Sequence, residues 1–165
     1  MDFANICNEW NKGRLPIVNG IIHHNGYIDR LAIDYDKDKR ISTIINSGRI
    51  SIDSLFSDEE NYCFTEIGIF CKTASIEKNI SVYSGGGSFG GDGFIVVESN
   101  ESRIIWIASF DWSNEFTRCE IIENNIVAFD NSGDKWVFDI GYPYNIIIET
   151  ADWKYRLGNA AYTDT

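Results

Sequence analysis

The chain lacks any apolar run long enough to cross a membrane. The longest, Ile104 to Ala108, is far short of the roughly 20 residues a spanning helix needs. The N-terminus, Met1-Asp2-Phe3-Ala4-Asn5, has no basic stretch followed by an apolar one, so a secretory signal is not expected. Cysteine is sparse: Cys7, Cys63, Cys71 and Cys119, with no C-x-x-C pair. That spacing argues against zinc and for reduced, mostly buried thiols in a reducing cytoplasm. The two histidines, His23 and His24, are adjacent, so on a strand they point to opposite faces and cannot easily share one metal. No metal and no cofactor are expected.

Bases are scarce where they matter most. Residues 90–152 hold 12 Asp and Glu against only Arg103, Arg118 and Lys135, a net of −9 out of −11 for the whole chain. Such a field repels nucleic acid and anionic membrane and attracts a basic protein.

Glycine is abundant in one place. The stretch "SVYSGGGSFGGDGFIVV" from Ser81 to Val97 holds six of the 14 glycines, and Gly85, Gly87 and Gly90 match G-x-G-x-x-G. That spacing binds a dinucleotide only where a helix follows, so that its free N–H groups face the pyrophosphate. Here Phe94-Ile95-Val96-Val97-Glu98 follows, which reads as a strand, and no lysine follows the glycines. The expectation is a mobile hairpin connection over Gly85 to Gly93 that binds no nucleotide, with Phe89 as its one possible anchor.

What is present is a core. At 44% hydrophobic and 14% aromatic over 165 residues, the chain fits one ordered domain. Asp2 can cap a helix carrying Phe3, Ile6, Cys7 and Trp10 on one face, ended by Gly13 and Pro16. Residues 17–52 are ambiguous. Alternation at Leu31, Ile33, Tyr35 and at Ile41, Thr43, Ile45 favours a hairpin turning at residues 37–39, with a helix over part of 27–46 as the alternative. Strands are expected at 63–72, 78–84, 93–99, 103–110, 118–123, 125–130, 135–140 and 144–150, separated by short polar turns. Ile104 to Ala108 is apolar on both faces and predicts a central strand covered on both sides. The fold class is therefore α+β: one domain, mostly an antiparallel meander sheet with the N-terminal helix packed on it. Trp153, Tyr155 and Leu157 would dock the tail, with 158–165 loose.

No catalytic group stands out. Asp and Glu on turns are ordinarily solvated, and "DNSGD" at 130–134 lacks the calcium-loop pattern. Aromatics beside acids are more suggestive. Trp106, Phe110, Trp112 and Phe116 are interleaved with Asp111 and Glu115, and Trp112 and Phe116 fall in the turn after a strand, where exposure is expected. Aromatic anchors ringed by carboxylates suit docking a basic surface. The candidate partner-binding residues are Asp111, Trp112, Glu115, Phe116, Glu120, Glu123, Asp130, Asp134 and Phe89.

At "SGGGSFGGDGFIVVES" and "RIIWIASFDWSNEF", from Ser84 to Phe116, the chain resembles bacterial immunity proteins of polymorphic toxin systems, in particular contact-dependent growth inhibition. The resemblance implies a non-enzymatic cytoplasmic protein that neutralises one cognate toxin domain in a 1:1 complex, often a basic nuclease. The competing readings are a sheet-based nucleic-acid binder, which should carry a basic groove, and an enzyme with an unrecognised site.

Overall fold

Helix α1 (Phe3–Asn11) begins where the Asp2 carboxylate accepts the Asn5 N–H at 3.0 Å. It ends at Gly13, whose φ of +75° is the left-handed conformation that glycine adopts without a Cβ clash. The expected face is the buried one: Ile6 is fully enclosed, and Phe3, Cys7 and Trp10 pack beside it. The computed structural model describes residues 1–36, 41–57, 64–88 and 90–151. The expectations for Cys63, Phe89, the 37–39 turn and the tail from 152 onward lie outside these.

The remaining elements are β1 (Arg14–Pro16), β2 (Gly20–His23), β3 (Tyr27–Asp36), β4 (Ile41–Ser51), α2 (Ile52–Phe56), β5 (Phe64–Ser75), β6 (Ile80–Gly87), β7 (Gly93–Ser99), β8 (Ile104–Phe110), β9 (Phe116–Ile122), β10 (Asn125–Asp130), β11 (Lys135–Asp139) and β12 (Ile146–Glu149). The described strands form an eight-stranded sheet, ordered β1-β5-β6-β7-β8-β2-β3-β4, and a four-stranded sheet, ordered β12-β11-β10-β9. Every pairing is antiparallel. The fold is the expected α+β domain, in which the helix and the second sheet cover opposite faces of the larger sheet.

The two faces bury different chemistry. Between the sheets lie Trp106, Phe110, Phe116, Trp136 and Phe138, mixed with aliphatic side chains. On the other face, Ile6, Leu15, Ile22, Ile28, Ile52, Phe56, Phe94 and Ile107 pack under the two helices. Strand β8 serves both cores, because alternate residues point to opposite sides. Trp106 and Phe110 enter the aromatic layer and Ile107 enters the other. The double-sided apolar run from Ile104 to Ala108 is thus accounted for.

Two expectations need correction, and one alternative is set aside: among the described residues of 17–52 no helix precedes α2. Strand β2 joins β8, and β3 and β4 form the hairpin that the alternation suggested. Strand β9 starts at Phe116, two residues earlier than expected. The glycine segment is mostly strand: Gly85, Gly86 and Gly87 are buried in β6 and pair with β5 and β7, while Gly93 opens β7. The connection spans only residues 88–92.

The reason for the glycines is close approach. A Cβ on Gly85 would collide with the Gly68 carbonyl of β5. One on Gly86 would strike the Glu115 side chain and the Asp92 carbonyl, and one on Gly87 would strike the Asp92 carboxylate. A glycine run inside a strand therefore leaves room for two acids to lie across the sheet.

Candidate interaction surface

Three connections meet at one end of the sandwich: residues 88–92, 111–115 and 131–134. The Asn114 N–H donates to the Gly91 carbonyl at 3.1 Å, and the Asn131 N–H donates to the Glu115 carbonyl at 3.0 Å. The Asp111 N–H donates to the Asn19 side chain at 2.8 Å, tying in the segment before β2. Asn19 and Asn114 both hold left-handed backbones, with φ of 52° and 63°, a conformation asparagine tolerates better than most residues.

This assembly gathers carboxylates. Asp92, Asp111 and Glu115 converge beside the glycine strand, and none of them forms an ion pair among the described residues. Burial pushes the Asp92 carboxyl above its usual range, and the nearby Asp111 charge pushes it further the same way. Asp92 was absent from the expected set. Its signal was a lone acid among glycines that have no room for other side chains.

Trp112 lies at this end. Its ring lies 4.8 Å from Phe110 and 5.7 Å from Trp136, and it is half-buried. It forms a wall of a cleft of about 310 Å³ between the sheet ends, which Asp130, Asp134 and Trp136 also line. Arg30 lines an adjoining cleft that Trp112 also borders.

Phe116 is different. It was expected in an exposed turn, yet it is fully buried, packing edge-on to Trp136 and Phe138. The chain re-enters the sandwich one residue after Glu115, and this side chain goes inward. Asp130 and Asp134 are also buried, at 4% and 9% exposed. The Asp130 carboxylate accepts from the Ser132 N–H and hydroxyl, the Asp134 N–H and the Trp136 indole N–H. That set of bonds closes the β10–β11 turn. The Asp134 carboxylate accepts the Ala151 N–H at 2.9 Å.

The structure also separates the remaining acids. Glu120 lies on the exposed outer face of β9, 3.9 Å from Arg118. Glu123 lies in the β9–β10 turn at the opposite end of the strand. Asp111, Trp112 and Glu115 are therefore brought together, while Glu120 and Glu123 are not part of that group.

Two polar constellations elsewhere were missed in the sequence. Asp29, buried between β2 and β4, accepts two hydrogen bonds from Arg49 at 2.8 and 2.9 Å and lies 2.7 Å from the His23 ring. Burial raises its pKa, but the bonds from Arg49 and His23 outweigh that and hold it below the usual range. Cys71 of β5 sits against β9, its sulfur 3.3 Å from the Cys119 backbone nitrogen. Burial pushes the Cys119 thiol up to about 12, so it stays protonated. Among the described residues, no group of three or more His, Cys, Asp or Glu is placed to hold a metal ion. No helix among them is long and apolar enough to cross a membrane.

Comparison of the chain with protein families, with curated proteins and with solved structures gives no match.

Proposed function

We propose that this chain is a cytoplasmic immunity protein, without enzymatic activity, that binds and neutralises a cognate basic toxin domain. The observation that carries the reading is the acidic end of the sandwich: Asp92, Asp111 and Glu115 converge beside the glycine strand at the end where the half-buried Trp112 lies, with no ion-pair partner among the described residues. A carboxylate left without a base and a large aromatic ring with one side still accessible are the two features a basic partner engages. The charges steer encounter, and the ring supplies desolvated contact. A lysine or arginine of the partner placed beside Asp92 would neutralise a carboxylate whose charge is disfavoured by burial and by the neighbouring Asp111.

The same charge disfavours the nucleic-acid reading, since a binder of phosphates needs a basic stripe here. The thiols Cys7 and Cys119 are both shifted away from reactivity, so neither supports a nucleophilic enzyme.

The test is co-expression with the protein encoded immediately upstream. The expected result is a 1:1 complex and rescue of growth in cells making that protein. A neighbour that is harmless when expressed alone, or that forms no complex with this chain, would overturn the proposal.

A further inference from the structure

The end of the sandwich opposite Trp112 carries a cavity of about 380 Å³ between α1 and the β7–β8 hairpin. Its floor is apolar: Phe3, Cys7 and Trp10 from the helix, and Ile104 from β8. Burial raises the Cys7 pKa, with the Glu98 charge a smaller contributor in the same direction, so this thiol is a neutral part of the floor. Glu98 stands at its side. Its carboxylate accepts the Trp10 indole N–H at 2.8 Å and forms no ion pair among the described residues. Trp10 is itself fixed edge-on to Tyr83 and Phe94, at 5.5 and 6.0 Å between ring centres. The acid is therefore held in place before any ligand arrives.

A cation and an imidazole share the lining of the same cavity. His24 and Arg103 line it, and both also line an adjoining cavity of about 630 Å³. The Arg103 guanidinium pairs with Glu101 at 3.3 Å, with side chains 82% and 73% exposed. An exposed pair of this kind contributes little stability and exchanges readily for another carboxylate.

An apolar floor whose lining holds an anchored acid, a movable cation and an imidazole matches few ligands. We propose that this cavity binds a small zwitterion with an apolar side chain, an amino acid or a similar amino-carboxylate. Its ammonium meets Glu98, its carboxylate meets Arg103 and His24, and its side chain lies on Phe3, Cys7 and Ile104. The volume is at the lower end of small-molecule sites, which suits a ligand of that size. A simple amine would forgo the contact with Arg103, and a simple acid would face Glu98. The site is at the other end of the molecule from Trp112 and does not rest on the immunity reading.

Calorimetric titration with L-phenylalanine, phenethylamine and 3-phenylpropanoate tests it, because each of the last two lacks one charge. L-Phenylalanine should bind about tenfold more tightly than either, as expected for one lost charge-assisted contact. Glu98→Gln, which keeps an acceptor for Trp10, should erase the advantage over 3-phenylpropanoate. Arg103→Gln, on an exposed side chain that folding does not need, should erase the advantage over phenethylamine. Equal binding of all three compounds, binding indifferent to both substitutions, or no binding by any of them would overturn the proposal.

Discussion

The two ends of the sandwich use aromatic rings and acids in opposite ways. At the Trp112 end, Asp130 is spent on the fold, closing a turn and holding the Trp136 indole, while Asp92, Asp111 and Glu115 form no ion pair among the described residues. At the α1 end, Trp10 is the ring that is tied down, by Glu98, and the rest of the cavity wall stays open. The first end presents charge outward together with an aromatic, which suits a macromolecule. The second encloses one acid beside an apolar floor, which suits a small ligand. Acidity alone therefore does not mark a surface. What separates the ends is whether the carboxylates already have partners and whether they face a wall or solvent.

Four substitutions sharpen that contrast. The largest effect is expected at Trp106, buried between the sheets and bonded through its indole N–H to the Ile140 carbonyl at 3.0 Å. Trp106→Ala should cost about 3–5 kcal/mol in chemical denaturation, by opening a cavity and orphaning that carbonyl. Asp130→Ala should follow, at about 2–3 kcal/mol, since it leaves buried donors including the Trp136 indole unsatisfied. Partner affinity of the folded protein should be little changed by it, which separates this acid from its neighbours. Trp112→Ala should reverse the balance. Stability should fall by about 1 kcal/mol, and partner affinity by about 2 kcal/mol or more, read by melts and titration on one preparation. Equal losses in stability for Trp112 and Trp106 would make Trp112 an ordinary core residue.

The smallest effect is a pH dependence at Asp92. Its folded-state pKa is raised, so the folded protein holds this proton more tightly than the unfolded chain does. The stability this linkage contributes is present below the unfolded pKa, about 3.9. It is lost as pH rises through the higher folded value. Asp92→Asn should therefore be slightly more stable than the parent at neutral pH, with the difference vanishing in acid. Melts across pH 3 to 7 measure it, and a parent protein that is the more stable at pH 7 would contradict the sign.

Much of the fold was legible because it rests on long, regular signals. The i, i+3, i+4, i+7 face of α1 and the alternation of Trp136 and Phe138 with Val137 along β11 match the burial found, and tertiary packing does not oppose them. The short elements were not legible. Strand β1 has three residues, β2 has four and α2 has five, too few for a period to show. The glycine run misled for a physical reason: glycine reads as a turn, but here it admits Asp92 and Glu115 across a buried strand. Phe116 and Asp130 misled because sequence shows proximity to a turn and not the direction in which the chain leaves it. Of the candidate surface, Asp111, Trp112 and Glu115 were found from their spacing. Asp92 was not, because its neighbours in space come from strand β6 and the 111–115 connection.

The most direct test of the acidic-end account is the association rate with the upstream-encoded partner at low and high salt. It should be measured for the parent, for Asp111→Lys with Glu115→Lys, and for Glu123→Lys at the far end. The account predicts about a tenfold slowing for the double reversal at low salt, shrinking at high salt as exposed charges are screened over about 8–10 Å. It predicts a much smaller change for Glu123→Lys. Equal slowing by both variants, or none by the double reversal, would contradict it.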